Sequence, residues 1–261
     1  GSPYSSWLME EAINYALSRG VLVVAAAGNV GGSSGVPMGT AMYPAAYPGV
    51  IAVGATDSGN QVTPFSNQGP FVDVVAPGAG ILSTYLIGGG SYAQMSGTSM
   101  ATPHVGGLAV LVWSVYPSLS GQDVGNVIMQ TALDLGSPGW DAAYGYGLMD
   151  AGQAVTRGPQ MAVAVQPQSQ EELASRQPAW PPPPGSYRPG VVLVRLTQGA
   201  DLRALAQALP GAVAAAQIMA TDASGVVQVS VPAGQELQAV QSLAALPEVA
   251  GASLNYLVLA Q

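Results

Sequence analysis

The sequence predicts two folded units in series, an α/β unit on a parallel sheet followed by a small two-layer α+β unit. Three observations carry this. Val21–Ala27 and Ile51–Ala55 are continuous, β-rich apolar runs, the pattern of parallel strands covered on both faces. Composition shifts at Arg157 into Gln- and Pro-rich sequence that runs to Pro189, including Pro181–Pro184. From Gly190 the pattern changes again, to short alternating strands and amphipathic helices.

Hydrophobic residues make up 49% of the 261 and charged residues 8%, so a sizeable core forms and extensive disorder is excluded. The net charge is −8 and every basic residue is arginine, which gives no footprint for nucleic acid or an acidic membrane surface. Cysteine is absent and says nothing of redox compartment. The apolar runs are short or broken by Gly and Pro, too short to cross a bilayer, and no signal-peptide pattern opens the sequence.

In the first unit, Trp7–Ser18 carries Leu8, Ile13, Ala16 and Leu17 at helical spacing, with Glu10 and Glu11 early, where the helix dipole favours them. Gly20 stops the helix. Val21–Ala27 then forms a buried strand, and helix, short turn and strand give the rhythm of a doubly wound sheet. Its carboxyl end is Gly28-Asn29. Ligand sites in such sheets lie outside the strands' carboxyl ends, so Asn29 reads either as a turn residue or as an amide donor to a substrate oxygen. Gly31–Met42 is a glycine-rich loop, Val72–Gly78 a short strand ending in a turn, and Ser120–Asp123 the start of a helix over Val124–Leu133.

Gly97-Thr98-Ser99-Met100-Ala101-Thr102-Pro103-His104-Val105-Gly106-Gly107 precedes a long apolar run, Leu108–Trp113, and reads as the start of a buried helix. Pro103 is expected in its first turn. Gly106 and Gly107 are poor helix formers, so another backbone is expected to pack closely there. Ser99 then stands at the positive end of a buried helix, where a hydroxyl is favoured as a nucleophile; Gly-Thr-Ser alone reads instead as a helix cap. The one histidine of the chain, His104, lies five residues on, roughly 140° around the helix axis, and cannot readily take the Ser99 proton.

In the second unit Val191–Leu196 is a strand, Leu202–Leu209 a helix, Val226–Val231 a strand, Glu236–Leu246 a helix and Val249–Leu259 a final strand. With a further strand in Ala212–Ile218 the order is β-α-β-β-α-β, a ferredoxin-like arrangement.

The segment around Ser99, with the strand ending at Asn29, strongly resembles the subtilisin-like serine proteases, and the resemblance covers about Ser5 to Val155. It implies that 1–156 is the C-terminal part of a three-layer, parallel-sheet subtilisin-like catalytic domain. Ser99 would be the nucleophile and Asn29 the oxyanion donor, with Ala27, Gly28 and Gly97 binding substrate. Tyr43-Pro44 matches a peptide bond that is typically cis in the family. In some members Ala45, Tyr47, Val50 and Asp73 would hold a weakly bound Ca2+ or monovalent cation; an ordered loop without metal is the alternative, and no other cofactor is required. Residues 157–189 read as a linker. Leu246-Pro247-Glu248-Val249 and Leu254-Asn255-Tyr256 resemble the end of an inhibitor-like subtilase propeptide, so 190–261 would be a propeptide-like domain with Tyr256–Gln261 as its tail; an unrelated accessory domain is the alternative.

The family orders its triad Asp, His, Ser, and neither the Asp-Ser/Thr-Gly nor the His-Gly-Thr segment precedes Ser5. The expectation is therefore a serine endopeptidase portion, inactive alone, from an incomplete or processed polypeptide. A segment or second chain would supply Asp and His. The substrate would be a polypeptide, the location secreted, extracellular or in the cell envelope, and the C-terminal domain an inhibitor. A non-catalytic binding or inhibitory module is the alternative.

Overall fold

Tyr47 secures the entry to the first helix: its hydroxyl donates to the Ser6 carbonyl (2.8 Å) and accepts from the Ser6 N–H (2.7 Å). Burial pushes the phenol up to about 12, so it stays protonated. Helix α1 follows over Trp7–Ser18 with Ile13 inward, and Gly20, at φ +77°, ends the turn. The computed structural model describes residues 1–30, 36–87, 90–161, 187–197, 200, 202–213, 216–221 and 226–256.

Strands β1 (Val23–Ala26), β2 (Val50–Thr56) and β3 (Val74–Pro77) form a parallel sheet in that order, with Val23 opposite Val50 and Val53 opposite Val74. Alternation along β2 builds two cores. Ile51, Val53 and Ala55 face helix α2 (Thr98–Val115), packing against Val105, Leu108 and Val112; Val50 and Ala52 face α1 and pack with Ile13. This is a helix–sheet–helix sandwich, as the fully apolar strands predict. Hairpin β4–β5 (Ile81–Ile87, Gly90–Met95) delivers the chain to α2. Helix α3 (Gly121–Gln130) starts with a capping box between Ser120 and Asp123, and α4 (Ala151–Met161) closes the unit. Helix α4 crosses the expected boundary at residue 156, and 162–186, most of the expected linker, lie outside the described residues.

The second unit holds β6 (Tyr187–Leu196), α5 (Leu202–Ala212), β7 (Gln217–Thr221), β8 (Val226–Ser230), α6 (Glu236–Ala244) and β9 (Val249–Tyr256). Its antiparallel sheet has the order β7-β8-β6-β9, the ferredoxin-like arrangement. One face packs Val192, Val194, Val227 and Val229 against Leu205, Leu209 and Leu243. The strand expected over Ala212–Ile218 begins only at Gln217, because Val213 continues the four-residue apolar stripe of Leu205 and Leu209. The sequence-predicted tail 257–261 lies outside the described residues.

Glu236 is buried and fastens two ends of this unit, accepting from the Gly190 N–H (2.6 Å) and the Gly234 N–H (2.9 Å). Burial pushes its pKa up, but these hydrogen bonds outweigh that and hold the carboxyl below its usual range. The open face of the sheet meets α1: Arg195 pairs with Glu11 and lies 5.8 Å from the Trp7 ring centroid. A cleft of about 620 Å³ remains between them, lined by Leu8, Glu11, Ala12, Tyr15, Arg195 and Val226. Among the described residues no helix is long and apolar enough to cross a membrane.

Candidate active site

The site forms where the carboxyl end of β1 meets the amino end of α2. Gly28, at φ +105°, turns the chain out of the sheet, and a Cβ there would meet Met42 Cγ at 2.9 Å, so only glycine fits. The turn is braced by Asn67, which is fully buried. Its Nδ2 donates to the carbonyls of Ala27 (3.0 Å) and Thr40 (2.7 Å), and its Oδ1 accepts from the N–H groups of Gly39 and Gln68. In sequence Asn67 is one polar residue in a turn; its only signal is the company of Ser66 and Gly69-Pro70, which marks a turn and not a brace.

Asn29 comes next. Its Oδ1 accepts from the Thr98 N–H (2.9 Å) and the Thr98 hydroxyl (3.0 Å). A backbone N–H can only donate, so the amide oxygen must face Thr98, and this settles the orientation of the group. The Nδ2 end lies beside Gly97, 3.2 Å from where a Cβ would stand. The amide group of Asn29 is thus clamped to the residue immediately before Ser99.

Helix α2 starts at Thr98, which places Ser99 at its second position, exposed. The Met100 and Ala101 N–H groups go to the Gly97 carbonyl (3.0 and 3.3 Å), while the Ser99 N–H has no acceptor among the described residues. The helix dipole adds positive potential at this point. A cavity of about 270 Å³ opens here, lined by Gly1, Ala25, Ala26, Gly28, Met42, Pro44 and Ser99. It carries no charged side chain.

Several expectations change. Pro103 sits inside α2 at its sixth position, not in the first turn. Its missing N–H therefore leaves the Ser99 carbonyl without its helical donor, loosening the turn under Ser99. Gly106 and Gly107 have nothing within 4 Å of a Cβ, so the close backbone neighbour expected there is not among the described residues. Ala27 is fully buried, with its N–H on Val53 and its carbonyl on Asn67, and it does not line the cavity. Gly97 is buried at the helix cap with its N–H on the Gly78 carbonyl (2.8 Å), and neither it nor Asn29 lines the cavity. His104 Nδ1 lies 3.0 Å from the Met100 carbonyl, one turn back on its own helix, consistent with a packing role.

The expected cation ligands lie in one turn and on the neighbouring strand approach, at Ala45, Tyr47, Val50 and Asp73. Asp73 is half-buried, one carboxylate oxygen accepts from the Ala52 N–H (2.8 Å), and loss of water around the carboxyl pushes its pKa up to about 7. The Tyr47 carbonyl already accepts from the Val50 N–H (3.2 Å). Ala45 and Val50 are buried residues flanking that turn. A hard cation needs several oxygens, and this set offers one carboxylate with backbone carbonyls. The Tyr43-Pro44 peptide bond is cis.

The first unit is a parallel three-layer sandwich with an exposed serine at a helix start, next to a threonine clamped to an asparagine amide. The subtilase-family model matches residues 1–147, more than half the chain, and the chain belongs to that family. The chain is 49% identical to Subtilisin BL of Lederbergia lenta over 157 residues, which is 60% of this chain and 54% of that protein. It is 47% identical to the thermostable alkaline protease of Halalkalibacterium halodurans over 154 residues, 59% of this chain and 40% of that protein. The chain thus spans about half the length of the curated relatives it matches or less. A solved lanthipeptide protease is similar at a TM-score of 0.51 and 32% identity, over 57% of this chain and 54% of that one. A model of the fervidolysin N-terminal prodomain matches residues 174–255.

Proposed function

We propose that residues 1–161 are the nucleophile and oxyanion portion of a serine endopeptidase, completed by a polypeptide segment that supplies the histidine base and its aspartate. The observation that carries this is the Asn29–Thr98 clamp, which sets an amide donor next to an exposed Ser99 at the rim of a cavity. Ser99 Oγ attacks the scissile carbonyl carbon and forms the acyl-enzyme. The incoming base takes the hydroxyl proton and returns it to the leaving amine, and water then releases the acyl group. Asn29 Nδ2 and the Ser99 N–H stabilise the oxyanion. The small Ala25, Ala26 and Gly28 at the cavity wall leave room for a large apolar side chain before the cut, and the substrate is an extracellular polypeptide.

The test is reconstitution with a subtilase segment bearing Asp and His, followed by a fluorophosphonate probe. Labelling is expected on Ser99, absent in Ser99→Ala, and slowed roughly 10²–10³-fold in Asn29→Ala, the loss known for a subtilisin oxyanion donor. A bound complex that leaves Ser99 unlabelled overturns the reading.

The prodomain match supports a second role for the C-terminal domain, inhibition of a subtilase. Residues 187–261 alone are then expected to inhibit a mature subtilisin at sub-micromolar concentration, and absence of inhibition removes this role.

A further inference from the structure

Between Asp73 and Asp123 the sequence has no Asp, Glu, Lys or Arg, although the whole chain carries a net charge of −8. The hairpin β4–β5 lies in this uncharged stretch. It is a sheet of two strands, and among the described residues neither outer edge pairs with another strand. Its base is pinned: Gln94 Nε2 donates to the Gly80 carbonyl (2.8 Å), and the Gly80 N–H donates to Ser96 Oγ (2.9 Å). Above that base, large apolar and aromatic side chains face water. Leu86 is 100% exposed, Leu82 69% and Tyr92 63%, and Tyr85 and Met95 are exposed as well.

The register puts these side chains on both faces. Leu82 lies opposite Gln94 and Thr84 opposite Tyr92, so Leu82 and Tyr92 share one face; Ile81 and Met95, opposite each other, share the other. Tyr85 and Leu86 follow at the register shift beyond Thr84. A flat protein surface covers one face of a hairpin and leaves the other in water, whereas immersion in a fluid apolar phase covers both. Each tyrosine adds a ring with a polar tip, the kind of side chain that settles at a membrane–water boundary. The open strand edges exclude the hydrocarbon centre, where unpaired N–H and C=O groups find no partner, and so set the depth at the headgroup boundary.

We propose that the β4–β5 hairpin seats this chain on an electrically neutral lipid surface by shallow insertion of Leu82, Tyr85, Leu86 and Tyr92. Charge decides the kind of lipid. The hairpin offers no cation to an acidic headgroup, and the net charge of −8 opposes an anionic leaflet, so zwitterionic headgroups are the partner. The hairpin lies in the boundary and does not span the bilayer. Strand β5 ends at Met95, four residues before Ser99, so the seated chain holds Ser99 close to the surface. With these few side chains the partition constant is on the order of 10³–10⁴ M⁻¹, at or below that of a single acyl chain.

The experiment floats the full chain with phosphatidylcholine vesicles at roughly 1 mM lipid, where half or more of it is expected to float. Raising the salt is expected to change nothing, and adding phosphatidylglycerol to leave binding equal or weaker. Leu82→Ser/Leu86→Ser is expected to lower the partition constant at least about tenfold. Its Tm is expected to hold, because both side chains already stand in water. Leu82→Ile/Leu86→Ile is expected to keep binding. Val110→Ser/Leu111→Ser, which removes exposed apolar side chains from α2 instead, is expected to bind like the unaltered chain. No flotation, undiminished flotation of the Ser/Ser hairpin variant, binding that grows with phosphatidylglycerol or collapses with salt, or an equal loss in the α2 variant overturns the proposal. So does a dimer, seen by sedimentation without lipid, that the hairpin variant dissolves, since the occupant is then a second copy of this chain.

Discussion

The two units of this chain differ in what they leave open. The C-terminal unit packs its core more completely: four antiparallel strands, two helices over one face, and a core whose largest side chains are fully buried. The subtilase unit carries nearly all the chemistry-bearing motifs, yet its central helix is half exposed and its sheet ends in an unpaired strand. Residues that make a site and residues that complete a core are separate sets, and a chain can hold the first without the second. The same contrast appears in two carboxyls. Asp73, in the subtilase unit, is governed mostly by loss of water, with one backbone donor. Glu236, in the C-terminal unit, is held by two.

Asp73 sharpens this comparison most. Its folded-state pKa stands at about 7 against an ordinary 3.8, so the folded unit keeps the proton more tightly than the unfolded chain. Its stabilising contribution is therefore complete below about pH 3.8 and is lost as pH rises through 7. That difference corresponds to on the order of 4 kcal/mol. Asp73→Asn keeps an acceptor for the Ala52 N–H without the titration. Thermal unfolding from pH 4 to 8 is expected to show the subtilase unit weakening as pH rises, and the Asn variant flat over that range. A variant that follows the same curve as the unaltered chain breaks the assignment.

Glu236 runs the other way. Its folded pKa is lowered, so its contribution is present above the ordinary value of 4.5 and lost as pH falls through the depressed one. Glu236→Ala orphans the N–H groups of Gly190 and Gly234 and is expected to cost about 2–3 kcal/mol, confined to the C-terminal unit. Amide exchange resolved by unit is the measurement. Loss of protection in β1–β3 as well would show that the two cores unfold as one.

How far the sequence foresaw these features follows from their physics. Periodicity placed α1, α3 and the chain order of elements in the second unit, because core-facing residues must recur at the pitch of their element. The Ser99 segment was legible only through the resemblance of its whole eleven-residue run to a known family, since Gly-Thr-Ser alone reads as a helix cap. Asn67 was not, since a side chain bracing Ala27 and Thr40 across 40 and 27 residues leaves no local pattern. Pro103 was misplaced because a proline in a first turn and one five residues later look alike until the cap at Gly97 is known. At Gly106–Gly107 the expected close neighbour is not found, because nothing among the described residues lies within 4 Å of a Cβ at either position.

The smallest effect tests the seam between the units. Arg195 and Glu11 form the ion pair there, but their side chains are 38% and 48% exposed, so water and salt screen them. A pair of that kind is worth no more than about 1 kcal/mol, and the guanidinium over Trp7, at 5.8 Å, adds about half of that. The open cleft beside them means little apolar area is sealed at the seam. Arg195→Met keeps the apolar stem against Trp7 and removes the charge. It is expected to leave the unfolding of both cores unchanged, while making Trp7 more accessible to a fluorescence quencher, as 0.5 M salt (roughly a 4 Å screening length) does in the unaltered chain. Trp113, Trp140 and Trp180 must first be replaced by Phe so that the signal reports Trp7 alone. If Arg195→Met instead lowers the stability of either core by several kcal/mol, the seam is part of the fold, and the two units are not independent bodies joined by a weak latch.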